Sequence, residues 1–283
     1  MNAEERRGFT VASPRARIAP RALELASRRL LLAVFPRPRD NPRAGLRKLG
    51  EMPARWSAIL SKQPLPGAVK TRLIPALGAE AAARLQEAML EDVVARCSAS
   101  EDFDTLLAFA PEESAAWFQG RFPTIREQRA QCGAGLAERL AHLFESLLSE
   151  SSVPRATSLV AIGSDQPLVR TRTIARAHGF LEAGADLVLG PDLGGGYYLV
   201  GQREPHPELF TEIEMSTPSM CAETVRLAEE RGLDVKLLPE GYDVDVPADL
   251  ERLRTELVSM DPTDPEFPLR SWETLQSLHP LSS

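Results

Sequence analysis

Cysteine is scarce in this 283-residue chain: Cys97, Cys132 and Cys221 are widely separated, odd in number and form no Cys-x-x-Cys pair. The expectation is no disulfide framework, but ordinary core or surface thiols in a reducing compartment. Histidine is scarce too. His142, His178, His206 and His279 lack metal-ligand spacing, and no Ser/His/Asp or Cys/His nucleophile pattern is present. Long apolar runs are missing, since nothing approaches the ~20 residues of a membrane helix. Leu30–Phe35 is too short to span, and no small-residue cleavage pattern follows it convincingly. The chain is therefore expected to be cytoplasmic, with no membrane span.

Charge is present but unevenly placed. Residues 1–50 hold twelve Lys/Arg against four Asp/Glu, while the whole chain carries −7, so the remainder is strongly acidic. An acidic body argues against nucleic acid as the main partner and suits an enzyme whose few cations gather in a site. The Arg/Pro-rich segment 1–52 reads as a flexible basic extension, or as sequence upstream of a true start at Met52. Residues 53–260 read as the main domain and 261–283 as a C-terminal tail.

Within the main domain strands and helices alternate. Trp56–Leu60, Thr105–Ala110, Thr157–Gly163, Ala185–Gly190, Tyr197–Gly201 and Val235–Leu238 have strand character. The spacing of Leu85, Met89 and Val93 predicts an amphipathic helix over 80–94. Further helices are expected over 135–148, 171–183 and 247–258, with another opened by Ser216-Thr-Pro-Ser219. The run 157–163 is apolar throughout, as in a strand covered on both faces. The fold class is α/β, with a mostly parallel sheet between helical layers.

The most informative stretch is Gln63-Pro-Leu-Pro-Gly-Ala-Val-Lys-Thr-Arg-Leu73. It joins the first strand to the first helix, where α/β proteins hold nucleotide phosphates. Lys70 and Arg72 are its candidate diphosphate clamp. Asp165, in Gly163-Ser-Asp-Gln-Pro167, follows a buried strand and suits Mg²⁺ or Mn²⁺ shared with substrate phosphates. Its plain alternative is a cap or Asx-turn before the helix at Thr171. Asp243-Val-Asp245-Val-Pro-Ala-Asp249 offers the second carboxylate. Either Asp243 or Asp245 suits a ligand role, and Asp245 equally suits a helix cap. In Gly190-Pro-Asp-Leu-Gly-Gly-Gly-Tyr-Tyr198, glycine permits close backbone approach to a ligand. Tyr197 or Tyr198 offers a stacking face, with the core as the ordinary place for at least one of them.

These pieces, in this order over roughly residues 54–255, resemble the DUF2064 proteins, a GT-A-type glycosyltransferase family related to nucleotidyltransferases. The carrying residues are Pro64–Leu73, Gly163–Pro167, Gly190-Pro191 with Gly195–Leu199, Ser216–Pro218 and Asp243–Leu250. The resemblance implies a GT-A-like Rossmann-type sheet holding a nucleotide diphosphate and a divalent cation. Implied nucleotide or substrate contacts are Lys62, Gly67, Lys70, Arg72, Gly195, Gly196, Tyr197, Ser216 and Thr217, with Asp165 and Asp245 as metal ligands. The expected activity is sugar transfer from a nucleotide-diphosphate donor to an unidentified acceptor. Lys70-Thr-Arg-Leu73 is also similar to the segment of guanylyltransferases that activate phospholactate, so nucleotidyl transfer from a nucleoside triphosphate to a phosphorylated small molecule is the rival. The chain departs from the family pattern at Gly194, where an acid usually stands, and at Gly135-Leu-Ala137, where Asp-Leu-Gly is usual. Those departures give a third reading, a non-catalytic nucleotide-binding protein.

Overall fold

Side-chain alternation sorts the strands of the sheet into two cores. The computed structural model describes residues 54–149 and 156–278, all within one unit, Met52–Ser283. The expected basic extension 1–52, Leu30–Phe35 and His279 lie outside the described residues. Among the described residues the strands are β1 (Arg55–Lys62), β2 (Asp104–Ala110), β3 (Glu127–Ala130), β4 (Ser158–Gly163), β5 (Leu187–Pro191), β6 (Tyr197–Gln202) and β7 (Val235–Leu237). They form one sheet in the order β3-β2-β1-β4-β6-β5-β7. Every pairing is parallel except those of β6, which runs against β4 and β5.

The helices are α1 (Ile74–Leu77), α2 (Ala79–Ala99), α3 (Ala115–Arg121), α4 (Leu136–Leu148), α5 (Thr171–Glu182), α6 (Glu208–Thr211), α7 (Met220–Glu230), α8 (Pro247–Ser259) and α9 (Leu269–Ser277). Ile59, Leu107 and Ile162 pack with α2, α3 and α5, while their neighbours Ala58, Leu106 and Ala161 pack with α4, α6 and α7. Successive strand residues point to opposite faces, so a sheet covered twice needs continuous apolar runs. The expected GT-A-like mostly parallel sheet with helices on both faces is thus observed.

The α2 stripe Leu85, Met89 and Val93 is buried as its spacing requires, each side chain contributing about 1.5–3 kcal/mol. The same helix carries α8 and α9 on a third apolar cluster. Asp92 of α2 accepts the N–H groups of Arg270 and Ser271, at 3.1 and 2.7 Å, and so caps the first turn of α9.

Local corrections concern starts and short elements. The helix expected to open at Ser216 begins at Met220, with Ser219 before it and no side-chain cap. Ser216 instead adopts a left-handed conformation (φ 63°) inside the loop that leads to the helix. β3 and α3 were not evident in the residue pattern. β3 is four residues long, polar and only half-buried, which leaves no alternation to detect.

Candidate functional site

The loop after β1 is a Pro-Gly turn. Ala68 N–H donates to Leu65 O at 3.0 Å, with Pro66 and Gly67 between them and Gly67 at φ 82°. Those are the preferences of a type II turn, and a side chain at Gly67 would meet only open space. Conformation therefore explains this glycine. Three residues on, Lys70 itself is left-handed (φ 48°, ψ 41°), an arrangement that costs a lysine roughly 1 kcal/mol or more.

That turn buries the Lys70 side chain and aims it across the strand ends. Its Nζ lies 2.9 Å from Asp165 Oδ2 and 2.8 Å from Asp245 Oδ1. The lysine side chain is 2% exposed, while the carboxylates keep 35% and 43% of theirs. Burial works against the Lys70 charge, but the two carboxylates outweigh it and hold the ammonium above its ordinary value.

Asp165 is not a cap for α5, whose N-terminal neighbour Arg170 has no capping bond. Its Oδ1 accepts from Gln86 Nε2 at 2.9 Å and from Ser164 Oγ at 3.3 Å. Burial pushes Asp165 up, yet the charge of Lys70 and these hydrogen bonds leave it below the usual carboxylate range. Nor does Asp245 cap α8. Asp249 Oδ2 accepts the N–H groups of Asp245 and Val246, at 3.0 and 2.9 Å, so the Asp245 side chain is free to meet Lys70. Asp243 takes a different partner. Its Oδ1 accepts from Gln166 Nε2 at 2.9 Å, and burial, followed by the Asp165 charge, pushes it up to about 7.

The other sequence candidates fall in two places. The side chains of Arg72 and Lys62 are exposed at the same edge and enter no hydrogen bond or ion pair among the described residues. Gly195, Gly196, Ser216 and Thr217 gather in a second cluster. There Gly195 (φ 87°) lies so close to the Pro218 carbonyl that a Cβ would overlap it, and Cys221 N–H donates to Gly195 O at 2.9 Å. Ser216 is exposed, and Thr217 Oγ1 donates to Glu214 O at 3.2 Å. Tyr197 packs on the α4/α6/α7 core, with its phenol oxygen buried. Tyr198 is a core residue wedged between Gly190 and Gly241, its hydroxyl donating to Pro239 O at 3.1 Å. Asp192 folds over its own glycine run, accepting the Gly194 N–H, and burial raises it above the ordinary carboxylate value.

Gln86 and Ser164 were missed by sequence reasoning. Gln86 is buried on α2 and bonds both Ser164 Oγ and Asp165 Oδ1. Its only signal is a polar residue next to the apolar stripe at Leu85.

The donor set suits a divalent cation. Among the described residues no three His, Cys, Asp or Glu cluster as a metal site. Two carboxylates that already converge on one positive charge are what Mg²⁺ or Mn²⁺ uses when phosphates and water complete its shell. The ammonium of Lys70 stands where such a charge is stabilised.

Comparison with solved structures places this sheet in the fold of nucleotide-diphospho-sugar transferases. A candidate nucleotide-diphospho-sugar transferase from Desulfovibrio desulfuricans G20 superposes with a TM-score of 0.68 at 27% identity, covering 79% of this chain and 97% of its own. The model of the family described as "Uncharacterized protein conserved in bacteria (DUF2064)" matches residues 93–217, so the family resemblance is borne out there. That match contains Asp165 and the glycine run, but neither Lys70 nor Asp245, which are joined to it by geometry alone. A cytidylyltransferase from Leptospira borgpetersenii serovar Hardjo-bovis (TM-score 0.49, 11% identity, covering 80% of this chain and 95% of its own) is more distant. So is a CMP:2-keto-3-deoxy-manno-octonic acid synthetase complexed with CTP (0.45, 12%, 73% and 99%). No curated protein matches the chain. No helix among the described residues is long and apolar enough to cross a membrane.

Proposed function

We propose that this chain is a metal-dependent transferase that moves a sugar from a nucleotide-diphosphate donor to an acceptor at the carboxyl ends of β1 and β4. The supporting observation is the Lys70 ammonium between Asp165 and Asp245, with exposed Arg72 two residues on. Asp165 and Asp245 would anchor Mg²⁺ or Mn²⁺. Lys70, once the cation takes its place between the acids, and Arg72 would neutralise the remaining diphosphate charge. Gln86 and Ser164 hold one Asp165 oxygen, so that carboxylate needs little reorganisation. The cation would supply Lewis-acid stabilisation of the departing diphosphate. The sugar reading comes first because the Desulfovibrio protein is similar enough in sequence, at 27% identity, to carry weight.

Nucleotidyl transfer is the second reading. What favours it is the commitment of Asp165 and Asp245 to Lys70, which leaves neither as a free base. A phosphorylated acceptor is already ionised at neutral pH and needs none. Calorimetric titration with nucleoside triphosphates and nucleotide sugars, with and without Mn²⁺, separates the two by which ligand binds tighter. Binding of either without turnover against any acceptor would favour the non-catalytic reading. Asp165→Asn is expected to remove the enhancement by Mn²⁺. Enhancement that survives in this variant would leave Asp165 a partner of Lys70 and no metal ligand.

A further inference from the structure

A cleft of about 500 Å³ lies beside the Lys70–Asp165–Asp245 cluster rather than over it. Its walls come from the segments after β4, β5 and β7 and from α8, so it opens at the same end of the sheet. Volumes of this size accommodate small organic ligands. It meets the ion-paired cluster at one wall, where Gln166 both lines the cleft and donates to Asp243 at 2.9 Å. Val244, between the two aspartates in sequence, lines it as well.

The lining combines an apolar body with unfavourable electrostatics for an anion. Leu168, Val169, Leu193, Tyr198, Tyr242 and Leu253 supply the apolar part. Leu193 keeps 52% of its surface exposed at the mouth, and the buried Tyr242 phenol oxygen faces the Glu256 carboxylate. Arg170 is committed to Asp264 and Glu266, at 2.6 and 3.5 Å. Arg252 stacks on the Tyr242 ring at 4.9 Å. Glu240 and Glu256 also line the cleft and enter no ion pair among the described residues. A phosphate group placed here would meet two carboxylates that no cation neutralises among the described residues, and one arginine without a carboxylate partner, stacked on Tyr242.

We propose that this cleft binds the acceptor, and that the acceptor is an uncharged, hydroxyl-bearing small molecule with an apolar or aromatic body. This deepens the sugar-transfer reading and rests on it for the word acceptor, whereas the cleft's preference for a neutral ligand stands by itself. In the transfer, the acceptor oxygen bonds to the anomeric carbon as that carbon's bond to the diphosphate breaks. The nucleoside diphosphate leaves with the bonding electron pair, and the hydroxyl proton passes to water.

Saturation-transfer NMR on the full chain tests the site with 4-nitrophenyl β-glucoside and 4-nitrophenyl phosphate, one ring carrying a neutral or an anionic group. The glucoside is expected to bind, with at least five times the signal of the phosphate. Thr173→Trp, which fills the cleft from α5, and Leu193→Asp, which charges its mouth, should each cut the glucoside signal at least fivefold. Glu240→Lys combined with Glu256→Lys should raise the phosphate signal at least fivefold. Equal signals from both probes, no glucoside signal, or a glucoside signal that survives both blocking variants would overturn the proposal. Stabilisation by nucleotide and Mn²⁺ should be unchanged in the Thr173 and Leu193 variants. Its absence from the unmodified chain would fault the sugar-transfer reading and leave the cleft result standing.

Discussion

Replacing Lys70 with methionine should have two effects of opposite sign. The lysine Nζ sits 2.9 and 2.8 Å from two carboxylates, in the place a divalent cation would be held. A cation of charge +2 about 4 Å from an ammonium is opposed by about 2 kcal/mol even at the dielectric of water, roughly 30-fold in affinity. Lys70→Met removes that opposition and leaves two carboxylates without a counter-charge. Mn²⁺ alone, titrated calorimetrically, should therefore bind at least tenfold tighter than to the parent. Nucleoside diphosphates should bind about tenfold more weakly, because a charge-assisted contact is lost. Stability should also fall, but modestly. Both carboxylates remain more than a third exposed, so the loss is about 1–2 kcal/mol at neutral pH. Its pH dependence has a defined sign. Asp165 is held below its ordinary value in the folded chain, so its contribution is present above the unfolded value of about 3.9 and lost as pH falls through the folded one. The gap between parent and variant in urea unfolding should therefore close as the solution is acidified. Mn²⁺ affinity unchanged or weaker in Lys70→Met would refute the idea that the ammonium occupies the cation's place.

Other outcomes follow from the same geometry. Arg72→Ala should leave the unfolding midpoint unchanged, since Arg72 is exposed and unpaired among the described residues, while weakening nucleoside-diphosphate binding about fivefold. Equal affinity would remove Arg72 from the phosphate site. Gly195→Ala should lower stability by about 2–4 kcal/mol, because it combines φ 87° with overlap on the Pro218 carbonyl. A thermal midpoint within a degree of the parent would show that the loop yields easily. Asp243 has its folded value raised to about 7 by burial and by the Asp165 charge, so ionising it opposes folding increasingly from about pH 4 upward, most fully above 7. Asp243→Asn should therefore gain stability relative to the parent between pH 5 and pH 8. A constant difference across that range would show that Asp243 does not titrate there.

Most of the sheet was legible in the sequence because burial on both faces demands apolar runs, and Ser158–Gly163 and Asp104–Ala110 are such runs. The antiparallel turn of β6 was not, because direction within a sheet depends on the connection rather than on the residues of the strand. At the candidate site the residue types were legible and their relation was not. Lys70, Asp165 and Asp245 each stand out at a strand end, yet nothing in their types or spacing requires the ammonium to sit between the two acids. Two local choices decide that. Lys70 takes a left-handed conformation that a β-carbon disfavours, which buries its side chain toward the acids. Asp249 takes the capping role at the start of α8 that Asp245 could have filled. Either choice reversed would separate the lysine from at least one carboxylate while changing no residue of the motif. The positive charge between the acids is thus a product of backbone conformation in the loop joining β1 to α1.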